Sequence, residues 1–470
     1  MSHRRLLTCT ALLTAAAVTG STAPAQAGAP VPSAGLAEAL RAAIDAQDFK
    51  NVLDTTPPGS SSALARSGAR DKYDPAPAEL ARRRGLAAEP KPLHQTPNMD
   101  AAVIELDQAG RPVAMADVLL SPQYPHGVVV PLNAKSLSTD QVRYRWWDDT
   151  EWDTNGGKGT RDVLPGRERA PIDFSSPFPA SVLKLMVGFG VLRLVDQGKV
   201  DLDADYAYRP STVSETCGGP ETKPVRQFLD EMITMSKNES SCALIKMLHD
   251  LKAVDAMNKG FVDLGLPTLM LTGTDPGTGA HWIGANMSAI DTAKLLLAVN
   301  GGPGTLWTTP AGKAVTREVL SASSRKFLLK TLGEQGHNEM LSTTNWCGRG
   351  YPAPGIPQLT PQRWVNPADG TMTVGDAVYG QDTRPCDAAA EVSFAHKTGW
   401  TDTTGSDAGI VHSLPGKPGR HYVVAVFCNL GTDYVDVDRP ADPPGVIPVF
   451  YTEKYGRLGL AIDRIVTGRH

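Results

Sequence analysis

The chain has 470 residues, 41% hydrophobic and 20% charged, a composition of folded domains that excludes disordered, collagenous and coiled-coil classes. The length suits two to three average domains, or one large domain with insertions. A formal charge of -4 argues against nucleic acid as the main partner, and no run of about 18 apolar residues is present to form a transmembrane segment.

Residues 1–27 have the texture of a signal peptide. His3, Arg4 and Arg5 make a positive start, Leu6 to Val18 an apolar run, and Ala25-Gln26-Ala27 a small-residue cleavage site. A short N-terminal helix is the plainer alternative. The surroundings of Arg4-Arg5 fit a twin-arginine signal poorly, and Cys9 is badly placed for lipid attachment. The expectation is a protein secreted into an extracytoplasmic compartment and free in solution. Losing this segment removes two arginines and no acids, taking the formal charge from -4 to -6. Arg82-Arg83-Arg84 is the one tight basic run and reads as a solvated linker face.

Five cysteines then remain: Cys217, Cys242, Cys347, Cys386 and Cys428. An odd number in an exported chain leaves at least one unpaired. Cys428 ends the apolar run from Tyr422 and is the candidate free thiol. Cys347 and Cys386 bracket a loop-rich stretch that a bridge would restrain. Their spacing does not suit zinc.

Residues 28–96 are rich in Ala, Pro, Gly and Ser, with one helical patch from Leu36 to Leu53; they read as a tether with a short helix. A domain is expected over 97–470. Ala102–Leu106 and Val113–Leu119 read as strands joined by the turn Gln108-Ala109-Gly110, and Gly127–Leu132 as a third. Tyr144 to Asp153 gathers three of the eight tryptophans beside acids, which suits a rim or domain contact better than a carbohydrate platform. Val182–Val195 is apolar nearly all round, as a buried helix is. Further helical patterns cover Arg226–Met235, Ser240–Leu251 and Ser288–Val299. The Pro- and Gly-rich stretch near 346–386 reads as an ordered surface insertion. Strand texture returns at Val392–Thr398, Gly409–Leu414 and Tyr422–Cys428, and Val446–Val466 reads as a closing helix. Strands, helices, then strands again imply an α+β fold, in which both ends of the chain build one sheet and an all-helical lobe is inserted between them.

Three motifs carry chemistry. Ser181 and Lys184 are three apart, so on a helix they share a face. A serine hydroxyl is a poor nucleophile until a base takes its proton, and a lysine serves only if burial or neighbouring cations lower its pKa. Phe178, Leu183, Leu185 and Met186 supply apolar surroundings. A position in the first helical turn offers free N–H groups to developing negative charge. Ser-x-x-Lys arises by chance about twice in a chain of this length at ordinary composition. Ser323-Ser324-Arg325-Lys326 is a second match, in a charged context that marks it as the decoy.

Ser236-Lys237-Asn238 sits at a helix-to-helix junction. Its hydroxyl could relay a proton, and its amide could hold the Lys184 amine and a substrate carbonyl. On local sequence, Ser236 or Asn238 is also a fair N-cap for the helix near Ser240. Lys397-Thr398-Gly399 ends a strand with a cation and a hydroxyl suited to a carboxylate, and a glycine that lets a ligand approach the backbone. The next N–H, on Trp400, could pair with that of Ser181 as an oxyanion hole. The plain alternative is a strand end with a solvent-facing lysine. His396 reads as a satisfied strand-edge histidine rather than a second base.

In this order, with Phe178-Pro179-Ala180 before the serine, Asp196 to Leu202 after its helix and His396 before the third motif, the chain resembles the serine β-lactamase and penicillin-binding protein superfamily, most closely its class A-like branch. The resemblance spans roughly 100–466. It implies a β-lactamase/transpeptidase-like fold and an acyl-enzyme mechanism. Ser181 would be the nucleophile, Lys184 the base and Ser236 the proton relay. Asn238 would contact substrate and lysine, and Lys397 and Thr398 would bind a substrate carboxylate beside Gly399 and Trp400. Substrates of the family are β-lactams, D-alanyl-D-alanine peptides or esters; no metal or organic cofactor is implied, and a monomer is expected. β-Lactam hydrolysis is the nearest label, a DD-peptidase or esterase the alternative, and a non-catalytic binder of cell-wall or antibiotic ligands a third.

The chain departs from this pattern twice. Lys237 stands where the branch has an acid, so an inward-pointing side chain would add charge beside Lys184. The branch also carries a deacylating glutamate between the second and third motifs, whereas residues 259–298 hold only Asp263, Asp275 and Asp291 as acids. Asp275 lies near the expected place, but Asp-Pro-Gly is also a turn signal.

Overall fold

The computed structural model describes residues 31–32, 34–55, 90–159, 161–281, 284–442, 447–449 and 451–469. The expected signal segment and the Arg82-Arg83-Arg84 run lie outside these residues.

Helix α1 (Ala34–Ala46) precedes strands β1 (Met99–Leu106), β2 (Pro112–Ser121) and β3 (Tyr124–Val129). The helices α2 (Lys184–Asp196), α3 (Val225–Thr234), α4 (Asn238–Asp250), α5 (Val254–Asp263), α6 (Ala289–Asn300) and α7 (Ala322–Gly333) follow. Strands β4 (Val392–Trp400), β5 (Gly405–Ser413) and β6 (His421–Cys428) return before helix α8 (Lys454–Thr467). In space the strands run β2-β1-β6-β5-β4, with β3 and the short parallel rung Val31–Pro32 both paired to β2. Early and late strands meet at the antiparallel β1–β6 pairing, where Ala102 faces Ala425. The sheet therefore closes across the sequence, as the texture predicts.

Both faces of the sheet are covered, which is why its strands read as nearly continuous apolar runs. Ala102, Ile104, Val423 and Ala425 point to the side of the helical lobe, while Met99, Ala101, Val103, Val424 and Val426 point to the side of α1 and α8. The alternation is the period of two of a pleated strand.

Several expectations need correcting. The helical patch from Leu36 to Leu53 stops at Ala46; Asp48 takes a left-handed φ of 48°, and Val52–Asp54 pairs as a strand with Tyr434–Asp436. Leu36, Leu40 and Ile44 are buried in the core, so residues 34–55 pack into the domain rather than lying in a tether. The closing helix begins at Lys454, because Asp436 anchors the preceding turn through the Glu453 N–H at 2.7 Å. In the 346–386 stretch a hairpin (Thr371–Val374 with Ala377–Asp382) buries Met372, Val374 and Tyr379, so the insertion is a packed layer and not a surface loop. Among the tryptophans of 144–153, Trp152 is buried and donates its Nε1–H to Asn98 Oδ1 at 3.1 Å, which favours the contact reading over a platform.

Disulfides join Cys217 to Cys242 and Cys347 to Cys386, and Cys428 is free and buried. Burial pushes its thiol up to about 12, so it is inert as a nucleophile.

Candidate active site

Ser181 lies in a 3-10 turn, Ala180–Leu183, that leads directly into α2. Pro179 begins the turn, and its carbonyl accepts from Val182 N at 3.2 Å and from Ser406 Oγ at 2.7 Å. The second bond ties the nucleophile turn to β5. Lys184, the first residue of α2, is fully buried. Its amine donates to Ser236 O at 2.6 Å, Asn238 Oδ1 at 2.7 Å and Ser236 Oγ at 3.2 Å. Ser181 is only half-buried, while Lys184 lies fully buried behind it.

The second motif joins α3 to α4. Neither Ser236 nor Asn238 caps α4: the helix starts at Asn238, and the N-cap is Lys237 without a side-chain cap bond. The capping reading is overturned because both polar side chains turn to the lysines instead. Ser236 adopts φ +58°, and Ala180 beside the nucleophile adopts φ +47°. Left-handed backbone at two non-glycine positions flanking one cleft is held there by its surroundings, and such strain gathers at functional sites. Lys237 points outward, with Nζ 3.6 Å from Glu231 Oε2, so its charge is directed away from Lys184.

The third motif closes the cleft. Lys397 is fully buried on β4, against the plain expectation of a solvent-facing lysine, and donates to Ser236 Oγ at 2.9 Å and to Thr398 O at 2.7 Å. Ser236 Oγ therefore stands between two lysine Nζ atoms. Thr398 Oγ1 is buried with no hydrogen-bond partner among the described residues. A Cβ on Gly399 would sit 2.5 Å from Ser181 N and 2.7 Å from Val182 N. Only a residue without a side chain lets this strand pass so close to the nucleophile turn. Gly399→Ala is accordingly expected to force the strand and the Ser181 turn apart and to destabilise the fold by roughly 1–3 kcal/mol, the scale of an overpacked site. Denaturant unfolding reads this directly, and a stability equal to that of wild type would sink it.

Trp400, next after Gly399, has its ring edge-on to His337 and to Tyr451 at centroid distances of 5.4 and 6.0 Å. His337 donates from Nε2 to Met235 O at 3.1 Å, and Tyr379 donates to buried Glu339. Sequence reading missed this group, because Met235, His337, Tyr379 and Trp400 meet only in three dimensions. His396 is the satisfied histidine expected: buried, bonded to Asp407 Oδ1 at 2.8 Å and Asn338 Oδ1 at 2.9 Å, and stacked on Phe394. The decoy serine, Ser323, and Lys326 are both exposed.

The expected place for a deacylating acid holds none. Asp275 is exposed, and its Oδ1 accepts from Gly277 N at 2.6 Å and Thr278 N at 2.9 Å, so it is a turn residue. Asp263 pairs with Lys259, and Asp291 is bonded to Thr268. His281 is the titratable group of this stretch that is buried near Lys184. Burial and the Lys184 charge hold it down at about 3, so it is neutral at physiological pH. Its Nδ1–H donates to Gly279 O and its Nε2 accepts from Ser241, both at 3.1 Å, which engages both nitrogens.

A two-faced sheet and an inserted helical lobe thus bring the Ser-x-x-Lys, Ser-x-Asn and Lys-Thr-Gly motifs together at one site. Residues 157–354 match the model of the beta-lactamase enzyme family, a span that includes Ser181, Lys184, Ser236 and Asn238 and ends before Lys397. Over that span the chain is similar to the serine β-lactamases. Similar solved structures include a variant of PBP-A as its acyl-enzyme with penicillin G, at 18% identity and TM-score 0.40 over 79% of this chain and 89% of that one. A β-lactamase from Chitinophaga pinensis is 21% identical, with TM-score 0.36 over 62% of this chain and 85% of that one. No curated protein matches the chain.

Proposed function

We propose that the chain is an exported serine hydrolase that forms an acyl-enzyme on Ser181, with β-lactams as its substrate class. The observation that carries this reading is the buried run Lys184 Nζ, Ser236 Oγ, Lys397 Nζ, linked at 3.2 and 2.9 Å beside the nucleophile turn. Lys184, once its ammonium has released a proton to solvent, takes the Ser181 proton as Oγ attacks the lactam carbonyl. The ring C–N bond then breaks, and the leaving nitrogen receives the Ser236 proton, which the Lys184 ammonium replaces. The N–H groups of Ser181 and Trp400 are assigned to the developing oxyanion, Lys397 and Thr398 to the substrate carboxylate, and Asn238 to the substrate amide. Two disulfides support an oxidising compartment, in keeping with export.

Deacylation is the weak step. No carboxylate of the 259–298 stretch is turned to the cleft, so the adduct is expected to persist. This favours, as a second reading, a D-alanyl-D-alanine peptidase trapped by penicillin. Intact mass against time with benzylpenicillin, with Ser181→Ala in parallel, separates the outcomes. A ring-opening adduct adds the whole penicillin. A lasting adduct on wild type alone supports penicillin binding with slow deacylation, and a transient adduct with penicillin consumed supports a working β-lactamase. No adduct on either protein would remove β-lactams from the reading.

A further inference from the structure

Away from the cleft, the C-terminal half of α2 and the helix α5 line a solvent-open pocket of about 400 Å³. Its volume lies in the ~300–1,000 Å³ range of small-molecule sites. The walls are apolar, formed chiefly by Phe189, Leu194, Leu248 and Phe261. Arg193, Lys199 and Lys252 also line it, and no aspartate or glutamate does. Arg193 is half-buried and the two lysines are exposed. None of the three has a carboxylate partner among the described residues, although most other buried or half-buried cations of the lobe, such as Lys223, Lys246 and Lys294, are paired. A greasy chamber with three cations and no anion is asymmetric in a way that packing alone does not require.

We propose that this cavity binds a single-chain amphiphile with an anionic head, a free long-chain carboxylate. The apolar walls would take the chain, and the three cations the head group. A methylene occupies about as much space as a water, ~30 Å³, so there is room for one acyl chain and not for the two of a phospholipid. The site goes beyond the serine chemistry and does not depend on it. It does adjoin that chemistry, because α2 carries Lys184 at its first turn and Phe189 and Leu194 further along the same helix.

Isothermal titration with monomeric dodecanoate tests the proposal, with dodecyltrimethylammonium as a probe of equal chain and opposite charge. Dodecanoate is expected to bind and the cationic probe not to. Replacing Arg193, Lys199 and Lys252 together by alanine is expected to weaken dodecanoate binding by about tenfold or more, since charge-assisted contacts are lost. Ala256→Trp, at the cavity lining, is expected to abolish it by filling the space. Unchanged thermal midpoints show that these variants fold. Equal binding of both probes, unchanged affinity in the variants, or loss of affinity in Lys397→Ala instead would each overturn the site, the last by putting the carboxylate in the cleft. Uptake onto phosphatidylglycerol vesicles without binding of monomeric dodecanoate would overturn it in favour of a membrane surface.

Discussion

Lys184→Met is expected to slow acylation of Ser181 by benzylpenicillin about 1,000-fold, within the ~10²–10⁴ range that a positioned proton acceptor contributes. Methionine nearly matches the lysine stem in length and apolar character but has no amine to accept a proton. The cleft groups assigned to substrate binding remain in place, so the loss should fall on the acylation step and leave the preceding non-covalent affinity within a few-fold. The substitution also strips donors from Ser236 O and Asn238 Oδ1, which Lys184 bonds at 2.6 and 2.7 Å. A buried acceptor left unpaired costs roughly 1–3 kcal/mol, so thermal unfolding must accompany the kinetics to separate lost stability from lost chemistry. Acylation retained to within about tenfold by a folded variant would show that the base lies elsewhere. His281 is a poor substitute, since both its nitrogens are occupied.

What could be read in advance follows from distance along the chain. Ser181 and Lys184 are one turn apart, so their shared face is a local fact. The strands at 99–106 and 421–428 announce themselves by apolar runs, and the sheet that joins them follows from the helical block between. The orientation of Lys237 was not legible, because Glu231, its partner, lies across the α3–α4 junction and the backbone at Ser236 is left-handed. The burial of Lys397 depends on Ser236, 161 positions earlier. The role of α1 was hidden for the same reason: its Leu36, Leu40 and Ile44 face the sheet and α8, built from chain far downstream. Local composition there, rich in alanine and proline, suggested a tether. Chemistry-bearing motifs were thus legible where their geometry is local, and misread where tertiary packing decides which way a side chain turns.

Asp117→Asn is expected to stabilise the protein relative to wild type more at pH 7 than at pH 4, because a buried carboxyl raised in the folded state must keep a proton that the unfolded chain has released. Asp100 on β1 and Asp117 on β2 are both buried on the face that meets α6. Asp100 Oδ2 accepts from Ala289 N at 2.9 Å. Burial raises Asp100 to about 7, and burial, then the Asp100 charge, lifts Asp117 well above its ordinary value. Both causes favour the protonated form of Asp117, whose carboxyl oxygens are buried with no hydrogen-bond partner among the described residues. The surrounding ionisable groups are Asp291, Lys294 and Tyr144; Asp291 raises both carboxyls further and holds Lys294 at 3.4 Å. The sign follows from the direction of the shift. A carboxyl raised in the folded state keeps its proton where the unfolded chain has released it, so its stabilising contribution is complete below about pH 4. That contribution is lost as pH rises toward the folded value. Asparagine has nearly the same shape and does not titrate, so the variant escapes the loss. Denaturant unfolding of both proteins across pH 4 to 7 measures the difference. A difference that stays flat with pH would mean that Asp117 is ionised in the native protein, and that its charge is met by a group outside this pair.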